Sequence, residues 1–204
     1  DSAAINLMKY YPDPTYPDIL KENFIRNSRS ITDSTQFNQR IDWIENQKSS
    51  WFGRYSWGDD QQDSGGTFYF SGGQVSTRVR QAVLSNTRML TTSMVNDARF
   101  AWNRFQNDYV GYFANKEDIQ STLGIKGLYS FGPLSYGLPA IGISHSVTGP
   151  GAGATPWITR NNTFQVLDSL SILKSRHSLK VGGEIRRVRY NQRGNQKELG
   201  EFIF

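Results

Sequence analysis

The chain has 204 residues, 37% hydrophobic and 13% aromatic, with 19 glycines, no cysteine and a net charge of +5. Its hydrophobic share is low and its mean hydropathy negative, which disfavours a conventional soluble interior, while the aromatic and glycine content argues against disorder. The lack of cysteine excludes disulfides, thiol nucleophiles and cysteine-bound metal, and the scattered Lys and Arg residues form no stripe for nucleic acid.

In chain order, Ser2 is placed to cap a short helix through Ile5, Leu7 and Met8, which Pro12 and Pro14 would end. Tyr16 to Ser34 reads as irregular, so residues 1–34 form a lead-in to the domain spanning residues 35–204. A first hairpin at about residues 36–59 follows. Phe37, Gln39, Ile41 and Trp43 alternate with Asn38, Arg40 and Asp42; after a tight turn at Asn46 to Ser49, Trp51, Gly53, Tyr55 and Trp57 oppose Phe52, Arg54 and Ser56. A long loop is expected from Asp60 to Thr77.

The second hairpin, at about residues 79–113, turns at Thr91 to Met94. Ala98, Phe100 and Trp102 lie on one face, with Asp97, Arg99 and Asn103 on the other; Val79 to Leu90 is a less regular partner. A second long loop is expected from Ala114 to Thr159. Within it, Asn115 to Asp118 before Ile119 and Leu123 resembles a helix start, and Gly124 a stop. Gly127 to Thr159 contains no charged residue, yet its Gly, Pro and Ser content rules out a membrane-crossing helix.

The third hairpin, at about residues 160–192, sets Phe164, Val166, Leu170 and Ile172 in one row, with Asp168 out of pattern. After the turn at Lys174 to His177, Leu179, Val181, Gly183 and Ile185 oppose Lys180, Gly182, Glu184 and Arg186. Parity slips at Arg187, as a β-bulge or the edge of an embedded band would produce. Glu201 to Phe204 reads as the start of a seventh strand cut off in mid-course. The expectation is therefore an internal fragment of a longer protein, whose unclosed edges would be prone to pairing or aggregation.

Short turns on one rim and long loops on the other describe an all-β, antiparallel up-and-down meander: a partial transmembrane β-barrel of about six strands with long extracellular loops. A charge facing lipid costs about 2–4 kcal/mol at the midplane. This assigns Arg40, Asp42, Arg54, Asp97, Arg99, Lys180, Glu184 and Arg186 to the lumen. Phe37, Ile41, Trp43, Trp51, Tyr55, Trp57, Phe100, Trp102, Leu179, Val181 and Ile185 then face lipid. A soluble sheet with one face on a core gives the same alternation, so a secreted β-sandwich binding carbohydrate or a protein partner is the alternative.

Other motifs are weak. Gly142-Ile143-Ser144-His145-Ser146 lacks the second glycine of a nucleophile elbow and a helix to follow it, so no enzyme is expected. Gly149 to Ala154 fits a relaxed dinucleotide fingerprint without the strand-turn-helix that would give it meaning. His145 and His177, the only histidines, sit on different rims, and no metal or other cofactor is expected.

Gln36-Phe37-Asn38-Gln39-Arg40-Ile41-Asp42, Phe52-Gly53-Arg54-Tyr55-Ser56, Asn96-Asp97-Ala98-Arg99-Phe100, Leu123-Gly124-Ile125-Lys126-Gly127-Leu128 and Arg176 to Arg186 come in an order that resembles the barrel of TonB-dependent outer-membrane transporters. The likeness is greatest to the Oar-like receptors with a carboxypeptidase-regulatory-like N-terminal domain, and it spans roughly Tyr10 to Phe204. The resemblance implies a Gram-negative outer membrane and a barrel of about 22 strands filled by a plug. It also implies contact with outer-membrane lipid, with the plug and remaining barrel, and with TonB through an N-terminal part not recognised in this chain. An unidentified ligand would be caught by the loops, where Phe68, Tyr69, Phe70, Tyr129, Phe131, Tyr136 and Trp157 are the contact candidates because aromatic faces stack on sugars and apolar groups. Packing of the loops against one another is the other use for those rings.

Overall fold

The computed structural model describes residues 1–19, 21–128, 132–142, 149 and 155–203. Helix α1 (Ser2–Met8) leads to six long strands: β1 (Ile31–Asn46), β2 (Ser49–Ser64), β3 (Gly73–Thr91), β4 (Met94–Gly111), β6 (Trp157–Lys174) and β7 (His177–Arg193). Between β4 and β6 lie α2 (Ile119–Leu123), a 3-10 turn (Pro133–Ser135) and the short strand β5 (Ala140–Gly142); β8 (Glu201–Ile203) follows β7. The long strands form one antiparallel sheet in the order β1-β2-β3-β4-β6-β7. It is open, with β1 and β7 as edges.

Period two and continuous register make the sheet two-faced. One hydrogen-bonded row runs Ile41, Gly53, Leu84, Phe100, Val166, Ile185 across all six strands, with no polar side chain in it. The adjacent rows, Arg40-Arg54-Val83-Ala101-Gln165-Arg186 and Asp42-Phe52-Ser85-Arg99-Leu167-Glu184, point to the opposite face. The two sets of residues predicted for lipid and lumen thus fall on opposite faces of one sheet.

The strands outrun their hydrophobic pattern. At 16 to 19 residues each and ~3.3 Å per residue they extend about 50–60 Å, far beyond what an apolar band ~25 Å tall requires. The loop expected at Asp60 to Thr77 therefore shrinks to residues 65–72, and the hairpins span residues 31–64, 73–111 and 157–193. The ladder continues through Asp59 to Asp63 and Gln74 to Arg78 because backbone hydrogen bonding is indifferent to side-chain polarity. The parity slip at Arg187 is likewise no bulge, since β6 and β7 pair without interruption from Ile158/Arg193 to Lys174/His177.

Beyond the sheet, Asp1 rather than Ser2 caps α1, accepting from the Ala3 amide at 3.0 Å. Asp118 caps α2 and Gly124 ends it at φ 78°. β8, expected to open a seventh barrel strand, instead pairs in parallel with β5 in a separate two-stranded sheet.

Candidate functional site

The apolar face is uncovered. Ile41 is 63% exposed, Trp43 59% and Ile185 77%, and Phe37, Tyr55, Leu84, Phe100, Val166, Leu179 and Val181 join them on the same face. A soluble protein rarely leaves so large a contiguous apolar patch in water. Among the described residues no second sheet packs on it, as the β-sandwich alternative requires.

Aromatics mark both margins of this band. Trp43 and Trp51 are cross-strand partners beside the short turn, where the Trp51 Nε1 donates to Glu45 at 3.1 Å. Towards the loops, Phe37 and Trp57 pair at 6.3 Å, and Trp102 pairs with Phe164. Above them the same face turns charged. The loop-side margin falls after Phe37 and Trp57 on the first two strands, after Ala82, Trp102 and Phe164 on the next three, and after Ile185 on β7. From β1 to β7 it slides by two rows, or four residues. Four rises of ~3.3 Å against five strand spacings of ~4.8 Å give a tilt of about 30°, close to that of strands in membrane barrels.

Asp168 interrupts the band on β6. Its carboxylate accepts from the Asn96 Nδ2 at 2.7 Å, and Asn96 also donates to the Ser169 carbonyl. The pair is satisfied within the sheet, which lowers the cost of holding it on an apolar face.

The polar face is concave. Arg40, Phe52, Arg54, Val83, Arg99, Ala101, Gln165 and Leu167, from five strands, surround a groove of about 340 Å³. Arg40 sits 4.5 Å over the Phe52 ring, and Arg99, two strands away, reaches the same ring at 5.8 Å. Arg40 also binds Asp42 through two hydrogen bonds of 2.8 and 2.7 Å. That pairing offsets the like charge of Arg54 directly opposite. Arg186 pairs with Glu184 at 2.9 Å and Arg99 with Asp97 at 3.9 Å. Lys180 lies on the same face, opposite Ser171. The sequence reading missed Phe52, whose signal was a lone aromatic in an otherwise polar row.

The hydrophobic core lies at the loop end. Phe68, Phe70, Phe113, Ile119, Leu123 and Leu138 form it, with Leu7, Tyr10, Tyr11 and Phe24 from the lead-in and Tyr136 packed against them. This corrects the ligand-contact expectation: Phe68 and Phe70 are only 5% and 3% exposed, stacked on each other at 5.6 Å. Tyr136 is half-buried against the same core, and Trp157 belongs to β6, opposite Tyr109, not to a loop. Tyr129, Phe131 and His145 lie outside the described residues. Tyr69 alone of the remaining candidates is exposed, edge-on to Tyr112 at 6.2 Å, with the Lys116 ammonium 4.3 Å over the Tyr112 ring. Burial raises Tyr10 and Tyr11 above the ordinary tyrosine range, with Glu117 adding to the shift at Tyr10, so both hydroxyls stay neutral at physiological pH.

The loop 65–72 closes tightly because a side chain on Gly72 would meet the Ser64 carbonyl oxygen at 2.1 Å.

A family model described as an outer membrane beta barrel domain matches residues 1–204. No curated protein and no solved structure matches the chain.

Proposed function

The chain belongs to the outer membrane beta barrel domain family, located in the outer membrane, and on that premise we propose that it is an arc of a TonB-dependent receptor that takes up a ligand at its extracellular loops. The observation that carries this reading is the distribution of polarity over a shallow open sheet. Apolar residues cover the convex face, and an arginine-bearing groove with room to spare lines the concave one. Small barrels fill their interior with side chains, whereas large ones enclose a wet lumen or a plug. A wall built this way suits a wide passage.

Orientation follows from connection lengths. The turns at residues 47–48, 92–93 and 175–176 face the periplasm, and the loop core faces outward, as in bacterial outer-membrane barrels generally. The exposed Tyr69, Tyr112 and Lys116 are the surface for first ligand contact, while the buried rings below hold the loops in shape. Arg40, Arg54 and Arg99 then line the route inward. Coupling to TonB and passage past a plug rest on the ordered sequence blocks that resemble the transporter family.

Nutrient accumulation provides the test. Cells lacking this protein and cells lacking the energy-coupling protein should lose uptake of the same nutrient across a panel of glycans, peptides and iron chelates. If deleting the protein changes no accumulation, or the loss is not shared with the uncoupled cells, the transport reading is wrong.

A further inference from the structure

Passage through the lumen makes no use of the charged belt on the convex face. Immediately above the apolar margin this face presents Arg80, Arg104 and Arg187, and in the following positions Arg78, Arg160 and Arg189. Asp59 forms an ion pair with Arg80 at 2.7 Å, and Asp108 pairs with Arg160. Arg104, Arg187 and Arg189 are exposed and form no ion pair among the described residues. The other carboxylates on this part of the face, Asp33 and Asp63, lie on β1 and β2, at the opposite side of the sheet.

We propose that Arg104, Arg187 and Arg189 form an outward-facing site for the phosphate of a membrane lipid at the loop-side surface of the outer membrane. Arg104 and Arg189 flank Asn162 in one hydrogen-bonded row, about 10 Å apart across two strand spacings, and Arg187 lies about 7 Å below Arg189 on the same strand. Three long side chains at those separations converge on one anion, and guanidinium geometry matches phosphate oxygens. The Arg189 guanidinium sits 5.9 Å over the Phe164 ring, and Trp102 pairs with Phe164 in the row beneath. The site is thus cationic above and aromatic below. It opens sideways, at the level where headgroup meets acyl chain, which suits an amphiphile better than a free ion. The inference depends on the outer-membrane location and not on transport.

The test uses the full-length protein folded into phosphatidylcholine vesicles containing a minor fraction of a brominated, phosphorylated glycolipid, or the same glycolipid with its phosphates removed. Quenching of tryptophan fluorescence reports association at the Trp57 and Trp102 level. The phosphorylated lipid should be enriched around the protein and the dephosphorylated one should not. Each arginine changed to glutamine should weaken association about fivefold, and the R104Q/R187Q/R189Q triple variant about a hundredfold. Lys180→Gln, on the concave face opposite Ser171, should leave it unchanged. The corresponding triple lysine variant keeps the charge but not the guanidinium fork and should bind between the unchanged protein and the triple glutamine variant, which separates a lost site from a misfolded barrel. Equal enrichment of the two lipids, full association by the triple glutamine variant, or displacement by inorganic phosphate in solution would each overturn the proposal.

Discussion

Val166 and Gln165 are neighbours in sequence and opposites in environment, so an arginine at each measures the sidedness of the sheet. Val166 sits in the apolar row with Phe100 and Ile185 as its cross-strand partners, whereas Gln165 lines the concave groove. Arginine on the lipid face near the midplane costs about 2–4 kcal/mol and near the interface about 0–1 kcal/mol. Val166→Arg is therefore expected to shift the folding equilibrium by roughly thirtyfold to several hundredfold. Gln165→Arg, reaching water in the groove, should change it by less than about fivefold, typical of a surface substitution. Asn162→Arg, on the same face as Val166 but one position above the band, should fall near the interfacial value. The assay is urea unfolding of the full-length protein folded in vesicles, followed by heat-dependent gel mobility. Equal losses at residues 165 and 166, or a larger loss at 165, would refute the assignment of faces.

Phe70→Ala should cost about 3–5 kcal/mol at the loop core, seen as faster hydrogen exchange in residues 65–72 and 113–123 while strand amides stay protected. Gly72→Ala should open the same loop by forcing its chain off the Ser64 carbonyl, read by limited proteolysis between β2 and β3; an unchanged cleavage pattern would count against the tight closure. Asn96→Leu removes the 2.7 Å donor to Asp168 and should destabilise by about 1–3 kcal/mol, while Asn96→Leu combined with Asp168→Leu should recover most of the loss in the same unfolding assay.

Local pattern along the chain is enough to tell which residues share a face, where the tight turns fall and how α2 begins and ends. These are local matters: side-chain direction alternates along any strand, and Asp118 and Gly124 act on the backbone beside them. On β1, β2 and β3 the ends expected at about residues 36, 59 and 79 lie near the margin of the apolar band and short of the true strand ends, whereas those expected at about 113, 160 and 192 fall within three residues of the ends of β4, β6 and β7. Hydrophobic patterning records where lipid stops, and the hydrogen-bond ladder has no reason to stop with it, so Asp59 to Ser64 and Gly73 to Arg78 pair although they alternate nothing.

The direction of curvature is a tertiary matter: it turns Arg40 and Arg99 towards one Phe52 ring from two other strands. Tertiary structure also decided the fate of the loop aromatics. Phe68, Tyr69 and Phe70 are indistinguishable by composition, yet two are buried and one is exposed, because burial depends on Phe24, Phe113 and α2 arriving from elsewhere in the chain. The pairing of β8 with β5, and the packing of residues 7–11 over the loop core, are contacts between distant segments that no local period encodes.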